Sequence, residues 1–170
     1  KYFHSTSLKS QVVSLEYEDS PLSFFVFLPN DDQTVEKLIS LLSRAELNKT
    51  VESMALTDVD LYLPKFKVEG EIDLIPTLNK SGVHDAFTSE ADLSGLTNMK
   101  NLYVKKAFHK VVLEVDEEGT TAAAATAVQA TFYSSRRPVT FKANHPFVYM
   151  IYDRISHMPV FVGVMIDPTQ

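Results

Sequence analysis

The sequence of 170 residues contains no cysteine and no tryptophan. The absence of cysteine excludes disulfide bonds, thiolate nucleophiles and metal sites built from thiolates. No apolar run approaches the ~18 residues that a membrane-spanning helix needs, so we expect no membrane partner. Basic residues are also few, since Lys and Arg total 16 against 22 Asp and Glu, giving a net charge of −6. This balance disfavours nucleic acid as a partner.

What is present is an ordinary globular composition, with 45% hydrophobic and 22% charged residues. The length fits one domain or part of one. The chain starts at Lys1, without the basic and then apolar segments of a signal peptide. We therefore expect either a fragment or a chain whose start has been removed.

The hydrophobic pattern predicts a mixed α and β chain in which strands dominate. Thr34 precedes apolar residues at helical spacing over 35–42, and a short helix is predicted over 73–80. The segment 81–98 is polar and typical of a loop. The run 160–166 is almost wholly apolar, so we expect it to be buried on both faces. Strands are predicted at 11–17, 22–28, 59–63, 66–72, 102–115, 139–141, 147–152 and 160–166.

The connection over 116–138 is the most informative segment. It is longer than the ~12–15 residues of ordinary structureless loops, and such long loops are usually functional. Every residue from Gly119 to Ala127 is Gly, Thr or Ala. In an extended chain Thr120, Ala122, Ala124 and Thr126 share one face, and such small side chains could enter a crowded sheet. The alternatives are an alanine-rich helix over 120–130, which local propensity favours, and a flexible linker.

Several ordered motifs resemble the C-terminal part of a serpin, and together they cover essentially the whole chain. FHKVVLEVDEEGTTAAAATA (108–127) is similar to the end of the fifth strand of the main serpin sheet and the hinge of the reactive-centre loop. FKANHPFVYMIYD (141–153) resembles the family signature that follows the loop. Similar matches are SFFVFLPND (23–31), LYLPKFKVEGEIDLIPTL (61–78), EADLSGL (90–96) and VFVGVMIDPTQ (160–170).

The resemblance implies an α+β fold: the C-terminal portion of one serpin domain, with the N-terminal half missing from residues 1–170. The segments 66–72 and 102–115 would belong to the main sheet, and 11–17, 22–28, 147–152 and 160–166 to a core sheet. The reactive-centre loop would be 116–138. The family mechanism is suicide inhibition, in which a protease acylates the loop and the cleaved loop then inserts into the main sheet.

The resemblance also assigns residues within the loop. The hinge would comprise Glu117, Gly119, Thr120, Ala122, Ala123, Ala124 and Ala125. Non-inhibitory serpins typically carry bulky or charged hinge residues, whereas this hinge has none between 119 and 127, which favours inhibition. The scissile bond usually lies sixteen residues after the hinge glutamate, which gives Tyr133–Ser134. Tyrosine suits the apolar primary pocket of chymotrypsin-like proteases.

Other interpretations stay open at this point. Arg136-Arg137 is a rival site for trypsin-like proteases, or a contact for an acidic protease surface. Inhibition of a cysteine protease fits the loop as well. A different class of function is a non-inhibitory serpin, or a serpin fragment, that binds partners by strand addition.

Few other residues suggest chemistry. His109 matches a histidine that hydrogen-bonds where the serpin sheet opens, and His145 matches the signature histidine before Pro146; both would be structural. The histidine spacing predicts no metal site or cofactor, and no nucleophile–base pair predicts an enzyme. Asn48 and Asn79 begin glycosylation sequons. These give some support to an extracellular location, with an intracellular one as the alternative.

Overall fold

The computed structural model describes residues 1–96, 102–116 and 137–167. The chain divides into two compact units, which are described separately. The first combines Lys1–Phe66 with Val115–Gln170, and the second is Lys67–Glu114. The described residues contain no helix long and apolar enough to cross a membrane.

The first unit is built on a five-stranded sheet. Its strands are β1 (Tyr2–Ser5), β2 (Ser10–Glu16), β3 (Leu22–Pro29), β8 (Phe147–Asp153) and β9 (Met158–Met165), in that spatial order. All four pairings are antiparallel. This sheet confirms the predicted core sheet and adds β1, which the sequence pattern did not reveal.

The buried strands of this sheet are the most apolar segments of the chain. β3 is buried from Ser23 to Pro29 and lies between β2 and β8, so both of its edges are hydrogen-bonded. Aromatic and branched side chains suit the pleated, buried surface of a central strand. One core cluster joins the sheet to the helices and contains Leu8, Val12, Phe25, Phe27, Val35, Leu38, Leu47, Val148, Met150 and Tyr152.

Two helices pack on this core. Helix α1 (Val35–Leu41) begins after Thr34, whose side-chain oxygen accepts a hydrogen bond from the Lys37 amide at 3.4 Å. This confirms the predicted cap. Helix α2 (Arg44–Ser53) was not predicted, although Ser43 caps it by accepting from the Glu46 amide at 3.2 Å. A serine followed three residues later by glutamate is a recognised helix-start signal.

A second, smaller sheet in this unit pairs β4 (Val59–Tyr62) with β7 (Val139–Lys142). The two strands run parallel, although they are far apart in sequence. Both strands were predicted. Their pairing joins β7, the strand that follows 116–138, to β4 at the other side of the sequence.

The second unit holds most of the pair β5 (Phe66–Asp73) and β6 (Phe108–Val115), which confirms that 66–72 and 102–115 contribute to one sheet. Between them lie helix α3 (Ile75–Lys80) and a 3-10 helix at Asp85–Phe87. Pro76 stands in the first turn of α3, where its missing N–H costs nothing.

Two sequence predictions need correction. β6 begins at Phe108 rather than at 102, because the Val104 amide donates to the Ala86 carbonyl and takes this stretch away from strand pairing. β9 is not buried on both faces among the described residues, since Val160 is 65% exposed. Within the described ranges it pairs with β8 alone and forms an edge of the sheet.

Candidate functional site: the strands that flank residues 117–136

Strand β7 is the first described element after residues 117–136. It is paired with β4 along its whole length. Val139 pairs with Val59, and Lys142 pairs with Tyr62. Beyond the two ends of the pairing, the Val139 amide donates to the Asp58 carbonyl and the Ala143 amide donates to the Tyr62 carbonyl, each at 2.9 Å. Residues 139–143, which follow the segment in the chain, are therefore fixed to a folded sheet.

The two faces of the β4–β7 pair differ in burial. Phe141 is fully buried, and the residues on its side of the pair are half-buried. The opposite side consists of exposed residues, namely Asp60, Tyr62, Thr140 and Lys142. The alternation follows from the two-residue period of strands. It leaves one face of the pair in solvent and one in the core.

His145 fixes the turn that follows β7. Its Nε2 lies 2.8 Å from the carbonyl oxygen of Pro29, at the end of β3, and its Nδ1 lies 3.2 Å from Oδ1 of Asn144. The histidine thus ties two turns that are remote in sequence, which supports the structural role expected from the sequence.

An aromatic cluster lies beyond this turn, on β8 and its neighbours. Tyr149 is at its centre and packs near the rings of Phe24, Phe66, Phe147 and Phe161, with ring centroids 5.3–6.5 Å apart. Burial raises the pKa of the Tyr149 hydroxyl, because the charged phenolate loses hydration. The cluster thus packs β8, which follows residues 117–136 in the chain, firmly against its neighbours.

Strand β6 is the last described element before the segment. Its side chains alternate between half-buried and exposed from Lys110 to Val115, and Phe108 is 55% exposed. Lys110 lies 4.0 Å from a carboxylate oxygen of Glu71 on β5, in an exposed ion pair. Such a pair contributes little stability. β6 therefore presents uncovered apolar side chains within the described part of its unit.

Most of the predicted site residues lie outside the described residues. These are Glu117, Gly119, Thr120, Ala122, Ala123, Ala124 and Ala125 of the hinge, and Tyr133 and Ser134 of the scissile bond. Arg136 is also outside, whereas Arg137 is described and exposed. The assignments to the loop therefore stay predictions.

The remaining predicted residues are described. His109 is exposed on β6, and its imidazole has no hydrogen-bond partner among the residues described, so its role stays a prediction. Asn79 is half-buried in α3. Asn48 lies in α2 with its side-chain oxygen buried and without a partner in the described ranges, and Thr50 of the same sequon is 1% exposed.

Comparison with known proteins identifies the family. The sequence model described as "Serpin (serine protease inhibitor)" matches residues 1–168. The chain belongs to the serpin family. The match confirms the resemblance found in the sequence, and it extends over both compact units.

Individual serpins agree with this assignment. Serpin B10 of Plecturocebus moloch is 37% identical over 98% of this chain and 43% of its own length. The leukocyte elastase inhibitor of Bos taurus is 39% identical over 95% of this chain and 44% of its own length. A solved serpin structure from the trematode Schistosoma haematobium matches with a TM-score of 0.81 and 31% identity, over 99% of this chain and 45% of that one.

These matches establish the mixed helix and sheet architecture as part of a serpin fold. The chain spans less than half the length of the curated relatives that it matches. Sequence reasoning identified the family from motifs on β3, β5, β6 and β8. It missed the tie between His145 and Pro29, and the exposed face of the β4–β7 pair, because both depend on contacts between distant segments.

Proposed function

We propose that the complete protein containing this chain inhibits serine proteases by the serpin suicide mechanism. The protease would cleave Tyr133–Ser134 and become trapped as an acyl-enzyme while residues 119–127 insert into the main sheet. The observation that carries the proposal is the uninterrupted Gly, Thr and Ala composition of this hinge in a member of the serpin family.

The target class follows from the scissile residue. The apolar primary pocket of a chymotrypsin-like protease accepts a tyrosine ring, whereas the acidic pocket of a trypsin-like protease selects arginine or lysine. Tyr133 stands sixteen residues after Glu117, which is the family spacing. The leukocyte elastase inhibitor is named for inhibition of an elastase, and the matched family model for inhibition of serine proteases, which supports the same general function here.

Strands β7 and β8, which follow the proposed scissile bond in the chain, are well anchored, and this supports the proposed mechanism. β8 lies between β3 and β9 and hydrogen-bonds to both, and β7 pairs with β4. After cleavage, the fragment beginning at Ser134 would stay bound through these strands. We therefore expect its release only under denaturing conditions.

The decisive experiment mixes the complete protein with chymotrypsin and separates the products on a denaturing gel, followed by mass spectrometry. A complex that survives denaturant, together with a released peptide beginning at Ser134, would establish both the mechanism and the scissile bond. Chymotrypsin with a chemically blocked active-site serine is the control and should give no complex. A trypsin complex with cleavage after Arg136 or Arg137 would move the scissile bond and change the target class.

The competing function is a non-inhibitory serpin or an interaction fragment that binds by strand addition. The β5–β6 pair favours it, because within the described residues each of these strands has one edge without a strand neighbour, and strand addition needs such an edge. Under this hypothesis chymotrypsin would cleave the loop without forming a stable complex. The same gel distinguishes the two functions.

A cysteine protease tested in parallel would reveal cross-class inhibition.

We further propose an extracellular location and a non-enzymatic role for the complete protein. The Asn79 sequon supports secretion, whereas the buried Asn48 side-chain oxygen and the buried Thr50 disfavour a glycan at the Asn48 sequon. Digestion with a glycosidase, followed by mass measurement of protein from its native source, tests the location. Protein without sugar at either asparagine would remove the support and favour the intracellular alternative.

A further inference from the structure

We draw no further inference here: the strongest candidate, the largely apolar cavity of about 320 Å³ between the start of α2 and strands β8 and β9, lined among others by Leu42, Arg44, Leu47, Met150, His157 and Val162, restates a ligand site already established within the serpin family, and nothing in the described residues shows what covers its open side.

Discussion

The ring of Tyr149 occupies the space that a side chain at position 163 would need. Gly163 is the register partner of Tyr149 between β8 and β9, and a Cβ built on Gly163 would overlap three ring and hydroxyl atoms of Tyr149. The ring also stacks on Phe161, with centroids 6.1 Å apart and planes 16° apart. Glycine at 163 therefore allows the aromatic cluster to close over β9.

Gly163→Ala is expected to lower the free energy of unfolding by about 1–3 kcal/mol, since the ring must move to relieve the overlap. Denaturant unfolding of the complete protein measures this change. Tyr149→Leu removes the overlapping atoms and should make the effect of Gly163→Ala much smaller in the double variant.

Gly95→Ala serves as the matched control, because a Cβ there meets no atom within 4 Å among the described residues. It is expected to change the unfolding free energy by less than about 0.5 kcal/mol. Additive effects of Gly163→Ala and Tyr149→Leu would show that the overlap is not the cause of the destabilisation.

His145→Ala is expected to destabilise the protein by about 1 kcal/mol, because the Pro29 carbonyl loses its hydrogen-bond partner. The part-buried position of this bond allows water to replace some of the lost interaction. Denaturant unfolding measures the change, and His4→Ala, at an exposed position on β1, is the control. An effect of His145→Ala no larger than that of His4→Ala would contradict the structural role.

The strand content of the chain was predictable because local patterns report directly on burial. Residues 22–28 are apolar except for Ser23, and β3 is indeed buried and paired on both edges. The same pattern at 160–166 gave the wrong prediction of burial. The apolar character of a strand reflects all the contacts that it makes in the whole protein. In the described residues β9 has a single strand neighbour, so part of its apolar surface is exposed.

Contacts between remote segments were not predictable. The glycine in β9 indicates a close approach in general terms, but its partner Tyr149 becomes evident only from the β8–β9 register. Likewise, nothing in the sequence pairs β4 with β7. The loop residues could be assigned only through the family resemblance, and they lie outside the described residues, so they await experiment.

A carboxylate on β2 predicts a small dependence of stability on pH. Glu16 lies 2.6 Å from the Lys1 ammonium and 3.1 Å from the Arg154 guanidinium. The hydrogen bond from the Lys1 side chain is the largest cause that lowers the pKa of Glu16 below its ordinary value of 4.5. Burial opposes it, and the charges of Lys1, Arg154 and the N-terminus add smaller lowering effects.

Because the folded pKa is depressed, this stabilisation is complete above about pH 4.5. It is lost as the pH falls through the folded pKa. Glu16→Gln should therefore be less stable than wild type at pH 7, by less than about 1 kcal/mol because the pair is exposed. The difference should disappear in acid. Thermal unfolding from pH 7 to pH 2.5 measures it, with exposed Glu18→Gln as the control; a difference that is constant with pH would contradict the ion-pair explanation.

The hinge offers the sharpest functional prediction, because alternate residues of an extended chain face opposite sides of a sheet. Thr120 shares its face with Ala122, Ala124 and Thr126, which we predict to point inward on insertion. Thr120→Arg should then abolish the covalent complex while leaving cleavage at Tyr133–Ser134, since burying an unpaired charge is costly. Thr121→Arg, one residue along, adds the same side chain to the opposite face and should retain most of the complex. Denaturing gels with chymotrypsin give the ratio of complex to cleaved inhibitor for each variant. Equal losses in both variants would mean that the hinge does not enter the sheet with the predicted alternation.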